Sequence, residues 1–211
     1  MKIKRKKMLA TISSAAVISA AAVGTMAYFT DLDAVANTFT VGRVAIELDE
    51  KDVDGSKTYV TTEGRDRANQ YHLIPGETYE KDPTIHVSED SEDCWLFVKI
   101  ENGIEGIIEK EDFEKQLSDN GWTQLIVDSN VVADVYTREK YERGSVRDIK
   151  VFNSFTVNGT KVESSANGKN VTEGHFDLED YKDKSINVTA YAIQADGFET
   201  AAEAWKAEFA K

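Results

Sequence analysis

The sequence predicts an all-β protein, an antiparallel sandwich with a few short helices, preceded by an N-terminal signal helix. Beyond residue 38 the apolar residues mostly alternate with polar ones, which is the period of a half-buried strand. Dipeptides that favour tight turns separate these short segments, as in antiparallel sheets. The chain has 211 residues, 41% of them hydrophobic, and shows no linker and no internal repeat. We therefore predict one folded domain.

The N-terminus has the three parts of a secretory signal peptide. Residues 2–7 carry five positive charges, residues 8–24 carry none, and small residues stand at positions 25 and 27. A basic region, an apolar region and a small-residue cleavage site are typical of exported proteins. A retained membrane anchor is the alternative, but the apolar run is short of the roughly 20 residues that span a bilayer. We predict a signal peptide over residues 1–27, and membrane contact only through this segment before cleavage.

The charge of the chain limits its partners. The formal net charge is −13, and removal of residues 1–27 leaves 20 basic and 38 acidic residues, a net charge of −18. A surface this acidic repels nucleic acid and anionic lipid, so we expect neither as a partner.

The predicted strands follow one another at short intervals along residues 43–211. The most apolar segment is CWLFVKIE, which begins at Cys94 and is typical of a central strand covered on both faces. The other predicted strands are Val44–Leu48, KTYVTT, YHLIPGETYEKDPTIHV, TQLIVD, VVADVYTRE, DIKVFNSFTV and SINVTAYAIQA. Tight turns are predicted at Asp54-Gly55, Pro75-Gly76, Asn102-Gly103, Asn120-Gly121 and Asn158-Gly159.

Two helices interrupt the strands. Residues 110–119 place Phe113 and Leu117 four apart, with acidic residues early and a glycine just after the end. Near the C-terminus, Thr200 and Glu203 have the spacing of a capping box, ahead of an apolar face with Trp205 and Phe209. We predict that this second helix packs on a sheet.

A single cysteine rules out an intrachain disulfide. Its apolar surroundings predict that Cys94 is a small buried strand residue, and a reactive thiol is the alternative.

The segment of residues 28–42 fits two patterns, because its apolar residues follow both the helical and the strand period. The helical stripe consists of Tyr28, Leu32, Val35 and Phe39, and the strand face consists of Phe29, Val35, Phe39 and Val41. The apolar residues of the strand face have odd numbers before Gly42 and even numbers after it. This change of parity at Gly42 predicts a bulge or a break before the strand at Val44. Residues 28–42 are therefore predicted to be separate from the domain of residues 43–211. A frayed terminus is the alternative.

Cleavage would free an apolar strand that has no partner. Its pairing with the open sheet edge of another copy would satisfy its backbone and bury its side chains, which is strand addition between chains. Because donor and acceptor patches differ, such a contact is head-to-tail and need not close, so that it generates a filament.

Several motifs carry a resemblance to a known family. The junction GTMAYFTD followed by NTFTVGRVAIELDE, the element LIPGETYEKDPTIHV and the segment CWLFVKIE resemble the TasA/camelysin family, and the ending SINVTAYAIQADGFETAAEAW resembles a clostridial-type branch of such exported proteins. The resemblance implies a jelly-roll-like sandwich and export through a dedicated SipW-type signal peptidase, with cleavage between Ala27 and Tyr28. It also implies assembly into extracellular biofilm-matrix or surface fibres, with Tyr28 to about Val41 as donor strand. The expected partners are further copies of the chain or related fibre subunits.

Two other functions remain open. Camelysin-type members are classed as metallopeptidases, and His72 and His86 flank the Pro75-Gly76 turn, so they could approach one another as weak candidates for metal ligands. The chain has no H-E-x-x-H, no G-x-S-x-G and no phosphate-binding glycine motif, so we predict no enzyme and no cofactor. The third possibility is an accessory or adhesin protein that anchors fibres through the same fold.

One acidic string faintly resembles a calcium loop. In DEKDVDG, Asp52, Asp54 and Gly55 match three loop positions, but Glu50 stands at the first position and Thr61 where a bidentate Glu is needed. We therefore predict a solvated hairpin turn over residues 49–55.

Overall fold

A computed structural model describes residues 34–36, 44–55, 64–166 and 168–209. Within them most of the regular secondary structure is β-strand, in sheets that are largely antiparallel, with two short α-helices, so the all-β prediction is confirmed. The predicted signal helix lies outside the described residues. No helix among the described residues is both long enough and apolar enough to cross a membrane.

Thirteen strands, two α-helices and two 3-10 helices make up the described fold. The strands are β1 (Ala34–Ala36), β2 (Ile46–Lys51), β3 (Arg65–Asp66), β4 (Thr78–Glu80), β5 (Thr84–Val87), β6 (Cys94–Asn102), β7 (Thr123–Val127), β8 (Asn130–Thr137), β9 (Asp148–Lys150), β10 (Ser154–Thr156), β11 (Val162–Glu163), β12 (Phe176–Asp177) and β13 (Ile186–Gln194). The helices are α1 (Lys110–Asp119), α2 (Ala201–Phe209) and the 3-10 turns Glu105–Ile107 and Leu178–Tyr181.

Two larger sheets enclose the main core. The first has the strand order β1-β13-β6-β8-β7, and the second has the order β3-β2-β5-β9. Residues from both sheets, among them Leu48, Ile85, Leu96 and Val188, belong to one buried cluster. Two further two-stranded sheets, β10 with β4 and β11 with β12, contribute Phe155 and Val162 to the same core.

Strand β6 of the first sheet has buried residues on both faces, which explains its apolar run. Leu96 and Val98 point into the main core, whereas Phe97 lies in a second cluster under α2. The Phe97 and Trp205 rings are 5.0 Å apart between centroids, so the C-terminal helix packs on the sheet as predicted. The central position of β6 between β13 and β8 is also confirmed.

Both predicted helices are present. Helix α1 spans Lys110–Asp119, the predicted residues, and buries Phe113 and Leu117. The capping box of α2 is reciprocal, since Glu203 N donates to Thr200 Oγ1 at 3.2 Å and Thr200 N donates to Glu203 Oε2 at 3.3 Å.

The Pro75-Gly76 and Asn158-Gly159 turns pack against each other. Gly76 has a φ of +86°, which favours glycine, and a Cβ on Gly159 would lie 2.9 Å from the Gly76 Cα. Glycine is required at position 159 by this close approach rather than by its own φ.

Candidate assembly edge of the larger sheet

Strand β13 forms the framework of the candidate site. Its residues alternate between buried and half-buried positions, with Val188, Ala190 and Ala192 directed into the molecule. It pairs antiparallel with β6 over all nine residues, from Ile186 opposite Asn102 to Gln194 opposite Cys94. One side of β13 is thus fully paired, and its other side is available to the strand that forms the edge of the sheet.

Strand β1 pairs with that edge, and it comes from the candidate donor segment. The pairing is parallel, with Ala34 opposite Thr189, Val35 opposite Ala190 and Ala36 opposite Tyr191. Three of the nine residues of β13 are therefore paired on this side by described residues. Most strand pairings of the described residues are antiparallel, as predicted, and this one is parallel, as is the pairing of β11 with β12.

Only one predicted donor residue can be located. Val35 is the central residue of β1. The other residues of the predicted site lie outside the described residues, and these are Ala27, Tyr28, Phe29, Leu32, Phe39 and Val41. The predicted parity change at Gly42 also lies outside them.

The pairing between β1 and β13 is short and parallel, and both features make it weak. A parallel ladder is slightly less stable per residue than an antiparallel one, and three residues supply few ladder hydrogen bonds. Strand β1 of another copy could replace the chain's own β1 beside β13, and the same three residue pairs would form. The arrangement is thus compatible with strand exchange.

The opposite edge of the same sheet is strand β7. It is followed by a tight hairpin in which Asp128 and Ser129 have φ values of +50° and +66°. Lys206 of α2 donates to Asp128 Oδ2 at 2.6 Å and so connects the helix to this hairpin. The two edges of the sheet therefore differ in sequence and in surroundings.

The two candidate metal-binding histidines have separate environments. His86 lies in β5, where Nε2 is 2.8 Å from Asp49 Oδ1 and Nδ1 is 2.8 Å from Asp148 Oδ1. His72 is an exposed residue in the stretch before β4, and its backbone oxygen accepts a hydrogen bond from the Tyr79 hydroxyl. Across residues 44–55, 64–166 and 168–209, no group of three or more His, Cys, Asp or Glu side chains is arranged to hold a metal ion.

The hydrogen bond that Asp49 accepts from His86 raises the pKa of His86, burial opposes that rise, and Asp148 reinforces it. Arg65 also contacts Asp49 through its Nε, and its Nη1 is 3.3 Å from Asp82 Oδ2. Basic and acidic side chains thus alternate on the outer face of the second sheet, in the order Arg65, Asp49, His86 and Asp148.

The prediction of a solvated turn over residues 49–55 is wrong for its first half. Asp49 and Glu50 lie in β2 and are each 2% exposed. Asp49 is covered by its charged neighbours, whereas Glu50 faces inward, where Lys81 contacts it. A sequence pattern cannot distinguish a buried carboxylate from a solvated one when its partners lie elsewhere in the chain.

Cys94 is completely buried at the start of β6, as predicted. Burial, with a smaller contribution from Asp93, raises the pKa of its thiol to about 12. The thiolate needed for reactivity is therefore strongly disfavoured in the folded protein.

Comparison with protein-family models, with curated proteins and with solved structures finds no match.

Proposed function

We propose that this protein is an exported structural subunit of an extracellular biofilm-matrix or cell-surface fibre. After removal of residues 1–27 by a dedicated signal peptidase, the N-terminal strand of one copy pairs with strand β13 of the next. The expected partners are sister copies or related fibre subunits. The resemblance to the TasA/camelysin family supports this proposal, and with it a jelly-roll-like topology for the sandwich and a signal helix in the precursor.

The observation that carries the proposal is the pairing of Ala34–Ala36 with the outer edge of β13. This segment is the part of the sequence predicted to be a donor, and the edge lies in a long, fully formed strand. Exchange between copies would keep the same register and change only the chain that supplies β1. Such exchange has a low cost, because each pair broken within a chain is re-formed between chains.

The test compares three forms of the protein by light scattering and electron microscopy: the full chain, residues 28–211 and residues 42–211. We expect filaments from residues 28–211 alone, because only this form has both the β13 acceptor and a donor strand released from the signal segment. Equal assembly of residues 42–211 would overturn the proposal. An accessory subunit would instead remain monomeric by itself in all three forms and join only a partner's fibre.

A point variant sharpens this comparison. Val35→Pro removes a backbone N–H from the donor and disfavours a paired strand, so we expect a loss of assembly. Val35→Thr keeps the β-branched shape and serves as the matched control that still assembles.

A further inference from the structure

A buried polar cluster lies away from the assembly edge. Its members are Glu50 of β2, Asn69 in the loop after β3, and Lys81 directly after β4. Glu50 and Lys81 are each 2% exposed and Asn69 is fully buried. Lysine is almost never buried unless it is paired, and a buried ion pair is often no more stable than apolar side chains of the same size. Stability alone therefore does not explain this cluster.

The carboxylate of Glu50 lies between an amine and a carboxamide. Lys81 Nζ donates to Glu50 Oε2 at 2.8 Å, and Asn69 Nδ2 donates to Glu50 Oε1 at 2.8 Å. The Lys81 amine also lies 6.0 Å from the centroid of the Tyr71 ring. A nucleophile and an acyl group thus flank one acid–base group in a site that excludes water.

Backbone contacts orient the carboxamide. Asn69 Oδ1 accepts the N–H of Val53 at 2.8 Å, and Nδ2 also donates to the carbonyl oxygen of Lys51 at 2.8 Å. The first contact is a donor placed on the oxygen where negative charge would develop if a nucleophile attacked Cγ. The second holds Nδ2, the leaving group, beside Glu50.

We propose that Lys81 and Asn69 form an intramolecular isopeptide bond, with Glu50 as the group that transfers protons between them. No bound metal, cofactor or oxidant is needed for this reaction. The proposal does not depend on fibre assembly, because every participating group belongs to one chain.

The reaction balances in protons and electrons. Glu50 accepts a proton from the Lys81 ammonium, and this transfer removes two buried charges. The lone pair of the neutral Nζ attacks Asn69 Cγ, and the carbonyl electrons move to Oδ1, where the Val53 N–H stabilises them.

Collapse of this intermediate restores the carbonyl and breaks the bond between Cγ and Nδ2. Glu50 protonates the departing nitrogen and then accepts the second proton that Nζ loses. Nδ2 leaves as ammonia and takes up that proton as ammonium, so Glu50 ends as the carboxylate with which it began. The product is an amide between Nζ and Cγ.

The bond would supply the covalent staple that this sequence otherwise lacks. The chain has one cysteine, so an intrachain disulfide is impossible. An amide between residues 69 and 81 closes the loop that contains the Pro75-Gly76 turn, and reducing agents cannot open it.

The test begins with the intact mass of the purified wild-type protein, followed at neutral pH until it stops changing. We expect a mass lower than that of the sequence by one ammonia molecule. Trypsin should then fail to cut after Lys81, and should release residues 68–99 as one peptide rather than residues 68–81 and 82–99. A glutamate-specific protease cuts this peptide after Glu77 and Glu80, and the fragments that contain Asn69 and Lys81 should remain joined.

Three variants should keep the full mass of their sequences: Lys81→Arg, which keeps the charge, Asn69→Ala, and Glu50→Gln, which removes the acid–base group. The matched control is Lys51→Arg at an exposed lysine that pairs with Glu80, and it should lose ammonia as the wild type does. The wild-type mass decides the question even if a variant fails to fold.

Two results would overturn the proposal. One is a wild-type mass equal to that of the sequence, with normal tryptic cleavage after Lys81. The other is the loss of one water molecule with Lys81 joined to Asp66, the fully buried residue that lies opposite Glu50 in the β2–β3 register. That result would exclude Asn69 as the acyl group.

Discussion

His86 is held between two carboxylates on the outer face of the second sheet. Its raised pKa means that the folded state binds a proton more tightly than the unfolded state does, mainly because Asp49 accepts a hydrogen bond from the imidazolium. The charged groups around it are Asp49 on β2, Asp148 on β9, and Arg65 on β3 through Asp49. Glu47 lies opposite His86 in the register of β2 with β5.

The direction of the pH dependence follows from this shift. The stabilising effect is complete below the unfolded pKa of about 6.5 and is lost as pH rises through the higher folded pKa. For His86→Gln we expect a loss in the free energy of unfolding of up to about 1 kcal/mol at pH about 5.5, and a smaller loss at pH about 8.5. Urea unfolding at both pH values measures it. His72→Gln is the control, and an equal effect at both pH values would contradict the expectation.

The burial of some individual residues could be predicted from the sequence, and that of others could not. The burial of Cys94 was predictable, because its neighbours in β6 are apolar on both faces. The burial of Glu50 and Asp49 was not, because their partners Lys81 and Arg65 are distant in the chain. Charged residues are mostly exposed, so a local pattern assigns them to the surface.

Helices were the most predictable elements. Helix α1 has the predicted bounds, since its apolar pair, its early acids and the glycine after its end all lie within one short stretch. The capping box of α2 was predictable for the same reason. These signals act between residues three or four apart, so no long-range contact is needed to detect them.

The capping box of α2 should contribute to the stability of the protein. Thr200→Ala removes the hydroxyl that accepts the N–H of Glu203, and we expect it to cost about 1 kcal/mol of unfolding free energy. Thr200→Ser keeps the hydroxyl and should change the stability little. Chemical denaturation of both variants, followed by tryptophan fluorescence, checks this, and equal stability of Thr200→Ala and wild type would show that the cap is not needed.

Sheet order was less predictable than the strands themselves. The apolar run of β6 indicates a central strand, but nothing local indicates that β13 is its neighbour or that β1 pairs with β13 in parallel. Those pairings join residues that are far apart in sequence, and they depend on how the two sheets close over one core.

For the whole molecule, strand exchange predicts that β1 of one copy lies beside β13 of another copy. The described register places Ala34 opposite Thr189. We expect that two single variants, Ala34→Cys and Thr189→Cys, form a disulfide-linked dimer when they are mixed after signal cleavage and oxidised. Such a dimer forms only if β1 of one chain reaches β13 of the other. Non-reducing electrophoresis measures it.

The control for this experiment uses the opposite edge of the same sheet. Ala34→Cys mixed with Gln124→Cys on β7 should give no specific dimer, because β7 is not the proposed acceptor. The native Cys94 is fully buried and should not interfere. Equal cross-linking to positions 124 and 189 would contradict strand exchange at β13.

The sequence by itself determined the all-β class, both helices and the burial of Cys94, because each depends on patterns within a few neighbouring residues. Only the tertiary structure decided that β13 provides the edge on which β1 lies, that His86 contacts two carboxylates, and that Glu50 lies between Lys81 and Asn69. These arrangements depend on contacts between distant segments. Such contacts form only when the sheets pack and exclude water. The local periodicity of apolar residues therefore does not predict them.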